Sequence, residues 1–246
     1  MTIAQTEAEI CGIVPGETDA RFLSQHLSAY AFARPLAKDR QVLEVGFGEG
    51  YGAAYLAEVA KDVLAVDLAP GNVPRAAAKY VRPNLRFQQV DATMLKLPER
   101  SFDLICSFQV IEHIPEPQLM SYLTNIIRVM RPDGVCCIST LNLAHNMKPG
   151  KPYEKLIYHE KEFTGPELFA LLRQAFPVVE LYGLHLSAKH RVMERLKKWG
   201  LHRFGPPAWN PVRRFYERVS TDDFVATRDT SARCLDLFAV CRLSAQ

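Results

Sequence analysis

Apolar and polar positions follow two rhythms that take turns along this chain. Val42–Val45, Val63–Val66, Leu85–Val90, Phe102–Phe108 and Val135–Leu141 are short apolar or alternating runs and predict strands. Between them, stretches near 51–60, 73–80 and 117–130 predict helices, the last stopped by Pro132 and Gly134. Strands separated by helices predict an α/β fold, Rossmann-like and doubly wound, with helices on both faces of a parallel sheet. Upstream, Phe22, Leu23, His26, Leu27, Tyr30 and Ala31 recur at threes and fours on one apolar face and predict a helix over 19–37. Downstream, 167–174 predicts a helix, Val178–Leu181 a strand and Leu235–Arg242 a closing strand, with 188–218 as an interruption.

Composition narrows this little. The 246 residues, 48% hydrophobic and 23% charged, fit one domain, 1–246, with 1–40 as a helical cap and 188–218 as a basic lid insertion. No apolar run approaches the ~18 residues of a membrane span, and the start, with Glu7 and Glu9, does not read as a secretion leader. Six cysteines (Cys11, Cys106, Cys136, Cys137, Cys234, Cys241) form no CxxC pair, and five sit in apolar runs, which predicts a reduced, cytoplasmic protein. A net charge of +3 gives no reason to expect a nucleic-acid partner. The charge is uneven, however. Nine basic residues between Lys189 and Arg218 face only Glu194 and Glu217, a local +7 that leaves −4 for the rest.

The most informative stretch is Val42-Leu43-Glu44-Val45-Gly46-Phe47-Gly48-Glu49-Gly50-Tyr51-Gly52. Glycines at 46, 48 and 50 let the chain turn sharply between strand and helix and let a ligand lie against backbone. Asp67 ends the second strand, 21 residues after Gly46, where a carboxylate can accept from both ribose hydroxyls of an adenosine. Asp91 ends the third strand, where an acceptor for an adenine amino group belongs. Either acid alone could cap the following helix, but their joint placement at one sheet edge fits a ligand. A dinucleotide loop of the GxGxxG type needs glycine at 51, where this chain has Tyr51, and Glu44 would repel a pyrophosphate. Carboxylates beside the loop suit the cationic donor S-adenosylmethionine and count against the rival reading, an NAD-dependent oxidoreductase.

With these residues the chain resembles the class I S-adenosylmethionine-dependent methyltransferases. Glu44, Gly46, Gly48 and Gly50 match the first motif and Val63–Leu68 the ribose motif. Val90-Asp91-Ala92 with Leu97-Pro98 matches the adenine segment. Residues 101–105, 110–114 and 127–134 continue the match, with Asp133 departing from the usual Pro-Gly-Gly. The resemblance implies seven strands, the last antiparallel. It also implies cofactor contacts at Glu44, Gly46, Phe47, Gly48, Gly50, Asp67, Leu68, Asp91, Ala92, Phe108 and Gln109.

A sulfonium is already a strong methyl donor, so alignment does most of the work, with effective molarities of about 10⁵–10⁸ M in well-oriented systems. A hydroxyl acceptor benefits from a base, and His113 and His159 are the candidates. Each also has a structural reading. Glu112-His113 can tie loop to helix, and His159 can pack ahead of a helix capped by Thr164 with Glu167. Gln109-Val110-Ile111-Glu112-His113 is similar to the Glu-x-x-Glu-His metal site of some RNA-end and quinone methyltransferases. Its first acid is replaced by an amide, so no metal is expected.

Specificity falls to 1–40 and 141–230. Residues 15–32 and 159–172 look like bacterial methyltransferases of glycan and cell-surface saccharide pathways, which implies O-methylation of a small-molecule or saccharide acceptor. In the basic segment, Val192, Leu196 and Trp199 share a helical stripe among cations, and the Pro206-Pro207 turn with Trp209, Arg213 and Arg214 extends the patch. Such a helix can cover the active site or rest on an anionic bilayer, the latter suiting a lipid-linked or quinone-type acceptor. Nothing in the sequence proves turnover, so a non-catalytic binder of the same cofactor stays open.

Overall fold

The computed structural model describes residues 13–147, 150 and 152–244; the expectations on Glu7, Glu9 and Cys11 lie outside these. The strands are β1 (Gln41–Val45), β2 (Asp62–Asp67), β3 (Leu85–Gln89), β4 (Phe102–Phe108), β5 (Met130–Leu141), β6 (Val178–Leu186), β7 (Phe224–Thr227) and β8 (Asp236–Arg242). The α-helices are α1 (Ala20–Ala37), α2 (Tyr51–Leu56), α3 (Asn72–Lys79), α4 (Leu119–Val129), α5 (Leu143–Asn146), α6 (Gly165–Ala175), α7 (Ala188–Lys198) and α8 (Pro211–Glu217). All strands join one sheet in the order β3-β2-β1-β4-β5-β8-β6-β7. β1 to β5 run parallel, and β8 slots antiparallel between β5 and β6.

Side-chain alternation fills both faces. Leu43, Val45 and Ile105 point one way, onto Tyr122, Leu123 and Ile126 of α4 and Leu168 and Leu172 of α6. Val42, Leu104 and Cys106 point the other way, onto Ala29, Tyr30 and Ala33 of α1 and Ala53 of α2. The doubly wound architecture and the antiparallel last strand stand as expected. The five described cysteines are buried and unpaired, as small hydrophobes in strands tend to be.

Four expectations need correcting. The sheet has eight strands, not seven. The extra one is β7, four residues long, paired antiparallel with Gly183–Leu186 of β6. It escaped notice because β6 itself runs five residues past Leu181, through Gly183. That glycine marks a close approach, not a strand end: a Cβ there would lie 2.1 Å from the Asp229 carbonyl oxygen and 2.6 Å from the Cys234 Cβ. Likewise Pro132 and Gly134 do not precede β5 but sit inside it, at a register shift where Phe102 pairs with Met130 and Leu104 with Val135.

The fourth correction concerns α1. Asp19 caps it, accepting from the Arg21 and Phe22 amides, so the predicted start holds. The apolar face holds only in part, at Tyr30 and partly buried Leu27. Ser24, Ser28, Ala29, Tyr30, Ala33 and Ala37 are buried, whereas Phe22 is half exposed. Small residues let the helix approach the sheet closely, and Ser24 Oγ donates to the Val219 carbonyl at 2.9 Å. Phe32, by contrast, packs on the sheet, against Tyr182 and Phe238. The tightest contact is at Gly52, where a Cβ would meet the Tyr30 ring at 2.0 Å. Gly52→Ala must therefore displace Tyr30. It should destabilise the fold by about 1–3 kcal/mol, read as a lower urea midpoint; an unchanged midpoint would show that α1 is not held by this contact.

Candidate active site

The C-terminal ends of β1, β4 and β5 and the N-terminal end of β8 open into a cleft of about 670 Å³. Arg21, Phe22, Gln25, His26 and Tyr30 of α1 wall one side. No lining residue comes from 188–218. Ligands in open α/β sheets bind at this edge.

The glycine bend forms one wall of the cleft. Gly46 donates to the Val66 carbonyl at 2.7 Å, pinning the bend to β2. It has φ +78°, and a Cβ there would strike Val110 Cγ2 at 2.4 Å, so only glycine fits. Gly48 is different: φ is +55°, and nothing lies within 4 Å of where a Cβ would be. The open space at Gly48 belongs to the cleft. Backbone is thus exposed to a ligand at the position where a side chain would block it.

Beneath the bend lies Glu44, 1% exposed. Its Oε1 accepts from the Tyr30 hydroxyl at 2.6 Å, and its Oε2 has no partner. Burial lifts the carboxyl from 4.5 to about 7, opposed by the Tyr30 hydrogen bond and aided by the Asp67 charge. An orphaned buried carboxylate oxygen under a glycine cradle fits a cationic ligand and not an anionic one. Asp67 is engaged by the loop: Oδ2 accepts from the Gly48 amide at 2.8 Å, Oδ1 from Ala69 and Asn72. Asp91 accepts from the Thr93 amide and hydroxyl, so it caps the short 3₁₀ turn 92–94. Asp67, Leu68, Asp91 and Ala92 follow neighbouring strand ends but, like Glu44 and Gly50, do not line the cleft itself.

Opposite the bend, the two candidate histidines come together. Phe108 and Gln109 lead to the turn 111–113, whose Glu112 carbonyl accepts from the amides of Glu160 and Lys161 at 2.7 and 3.1 Å. This staple brings the His113 and His159 rings to 4.8 Å, edge to face. His113 Nδ1 lies 2.9 Å from the Tyr158 carbonyl oxygen, and burial lowers its pKa. His159 Nδ1 lies 2.6 Å from Glu162 Oε1, and Tyr153 donates to the other Glu162 oxygen. With Nδ1 engaged, Nε2 is the ring nitrogen left for proton transfer. Thr164 and Glu167 form the expected capping box just beyond.

The sequence reading did not single out Glu162 or the Gln25–Asp236 pair. His159-x-x-Glu162 spacing could have suggested the first. Asp236 lines the cleft, accepts from Gln25 Nε2 at 3.0 Å, and is raised to about 7 by burial. Its partner lies two hundred residues earlier in the chain, beyond the reach of spacing arguments. Glu112, also buried, has an unpartnered Oε2 and is raised to about 8. One ligand atom from each of Glu112, His113 and His159 lies within 4.8 Å of the others, a set that could hold a divalent cation.

A doubly wound sheet with a glycine bend and flanking acids at its carboxyl edge defines an adenosine-binding α/β protein. Comparison with known proteins makes this definite. The family described as "Methyltransferase domain" matches residues 43–138. A probable S-adenosylmethionine-dependent methyltransferase of Mycolicibacterium smegmatis is 33% identical over 177 residues, 71% of this chain and 67% of that protein. A ubiquinone biosynthesis O-methyltransferase of Rickettsia typhi is 30% identical over 103 residues, 42% of this chain and 41% of that one. The crystal structure of Burkholderia thailandensis 1,6-didemethyltoxoflavin-N1-methyltransferase, with its substrate and S-adenosylhomocysteine bound, aligns with TM-score 0.57 at 22% identity, covering 90% of this chain and 79% of that one. The chain belongs to the S-adenosylmethionine-dependent methyltransferases. No helix of the described residues is long and apolar enough to cross a membrane.

The raised Glu44 carboxyl sets a pH dependence. Between 4.5 and about 7 the folded chain holds a proton that the unfolded chain has lost. Stability therefore falls as pH rises through that window and stays lower above it. Glu44→Gln should remove roughly 3 kcal/mol of that fall, measured by urea unfolding of ligand-free protein at acid and alkaline pH. Parallel pH profiles for the two proteins would mean that Glu44 ionises normally.

Proposed function

We propose that this protein methylates a hydroxyl oxygen of a small-molecule or saccharide acceptor, with His159 as general base. The observation that carries the reading is the His159–Glu162 pair in the cleft wall opposite the glycine bend. The bound cofactor supplies an electrophilic methyl group and departs as S-adenosylhomocysteine. Gly46, Phe47 and Gly48 shape its seat, and Glu44 answers its positive charge. Gly50 turns the chain into α2, which keeps the seat open. Asp67 would accept from the ribose hydroxyls and Asp91 from the adenine amino group, with Leu68 and Ala92 beside them. Phe108 and Gln109 floor the methionine side.

On the acceptor side, His159 Nε2 receives the hydroxyl proton as the oxygen takes the methyl group. Glu162 at Nδ1 stabilises the imidazolium that forms and fixes the ring's orientation. His113, packed edge-on, limits the ring's freedom and is the second candidate base. The cleft walls do the rest by alignment.

A second reading concerns the acceptor's polarity. Phe22, Leu156, Ile157 and Tyr158 line the mouth and are all exposed, Ile157 at 87%. An apolar rim favours a quinone-type acceptor over a bare sugar, in keeping with the likeness to ubiquinone biosynthesis O-methyltransferases.

His159→Ala should lower kcat by about 10²–10⁴-fold while leaving cofactor affinity, measured by calorimetry, unchanged. Glu162→Gln should lower kcat less. Turnover is assayed as a 14 Da gain on an acceptor found in metabolite extract. Full kcat in His159→Ala would refute the base. Because Glu112, His113 and His159 could chelate, EDTA-treated protein is the control. Retained turnover supports the metal-free step, and loss restored by a divalent cation overturns it.

A further inference from the structure

The segment after β6 carries an apolar surface that the methyl-transfer site does not use. Beyond α7, the chain turns at Gly200, which has φ +82°, and runs through 201–210 into α8. Trp199, Phe204 and Trp209 are 73%, 73% and 83% exposed, with Leu201 and Val192 also outward. Leu196, Leu201, Phe204, Trp209 and Val212 border one groove of about 380 Å³. The protrusion is tied down. Asn210 is buried, and its amide donates to the carbonyls of Leu201 and Phe204, both at 2.8 Å. Arg213 Nε donates to the His202 carbonyl at 2.6 Å. The aromatics are therefore held outward by a built scaffold.

Charge surrounds them. Arg195, Lys198, Arg203 and Arg214 are exposed and form no ion pair with described residues. Arg218 and a single acid, Glu217, are exposed as well, while other charges of the segment are spent internally. Glu194 accepts from Tyr216 and faces Arg21, Lys189 pairs with Asp223, and Lys197 lies over the Tyr216 ring at 4.1 Å. The free charges of the protrusion are thus predominantly positive.

The geometry points to this protrusion as a docking surface for an anionic lipid bilayer. Trp and Phe enter the headgroup layer, where amphipathic rings reside, while the unpaired arginines and lysines meet lipid phosphates. Charge complementarity favours this occupant. A protein partner would have to supply a matching acidic and apolar face, and a second copy of this segment would bring +7 against +7. The sequence stripe Val192–Leu196–Trp199, extended by the Pro206-Pro207 turn with Trp209, Arg213 and Arg214, offers such a bilayer contact. In the fold, the helix supplies cations, and the loop that follows it supplies most of the anchor.

The chain contains two tryptophans, and both lie in this patch. Intrinsic tryptophan fluorescence of the full chain therefore reports on docking directly, with no cofactor or acceptor present. The experiment adds vesicles of phosphatidylcholine, with or without phosphatidylglycerol, at low and high salt, and follows emission alongside flotation. Docking predicts a blue shift and co-flotation with the anionic vesicles, weakened at high salt. Arg195→Glu with Lys198→Glu should cut vesicle binding by at least about tenfold and leave cofactor binding and the urea midpoint unchanged. Phe204→Ser should weaken the anionic binding while keeping both tryptophans as reporters. No blue shift, equal binding to neutral vesicles, or indifference to the charge reversals would overturn the proposal. So would self-association through the patch, seen as a dimer in sedimentation that Trp209→Ser abolishes.

Discussion

The site depends on a carboxyl group placed where water cannot reach it. Glu44 sits in the central strand of the parallel half of the sheet, with only the Tyr30 hydroxyl for company and one oxygen unpartnered. A lone buried charge costs several kcal/mol, so the ligand-free fold keeps this group largely protonated up to near neutral pH. A cation bound near the glycine bend would favour the charged form. Tyr30 carries the constraint outward. Its ring fits only because position 52 lacks a side chain, and its helix supplies the outer wall of the cleft. Cap, bend and sheet are thus coupled through one hydrogen bond.

The acceptor side is held together differently, by backbone. The turn after β4 and the strap before α6 meet through the Glu112 carbonyl, and that junction, more than any side-chain attraction, brings His113 and His159 together. Each histidine is tied down through Nδ1, His113 to the Tyr158 carbonyl of the strap and not to the helix after its own turn. Being tied down is compatible with catalysis, since a base must hold one tautomer and one orientation to serve as a base.

What could be read in the sequence was local. The bend, the acids at strand ends and the Thr164–Glu167 cap depend on residues a few positions apart, and spacing reveals them. Glu162 is equally local, three residues after His159, but an acid at that spacing is equally compatible with a surface position ahead of a capped helix. Gln25–Asp236 could not be read, since the sheet order alone brings α1 over β8. The buried face of α1 departs from its apolar face for a physical reason. Hydrophobic spacing finds faces that bury bulk, whereas this helix buries serines and alanines to get close and points Phe22 and His26 into the cleft. Gly183 shows a similar inversion, a breaker by propensity that serves as a point of contact within a strand.

The segment 188–218 divides its aromatic residues in two. Inward, Phe215, Tyr216 and Phe224 surround the ring of His190, which is wholly buried, with centroids 5.0 to 5.9 Å away. This cluster packs the segment against Phe224 of β7 at the sheet edge. Outward, Trp199, Phe204 and Trp209 contribute little to that attachment, because they bury little of their surface. Large aromatic side chains held in water by a hydrogen-bonded loop are a standing solubility cost. Packing among the described residues does not account for them, whereas the anionic bilayer proposed above would.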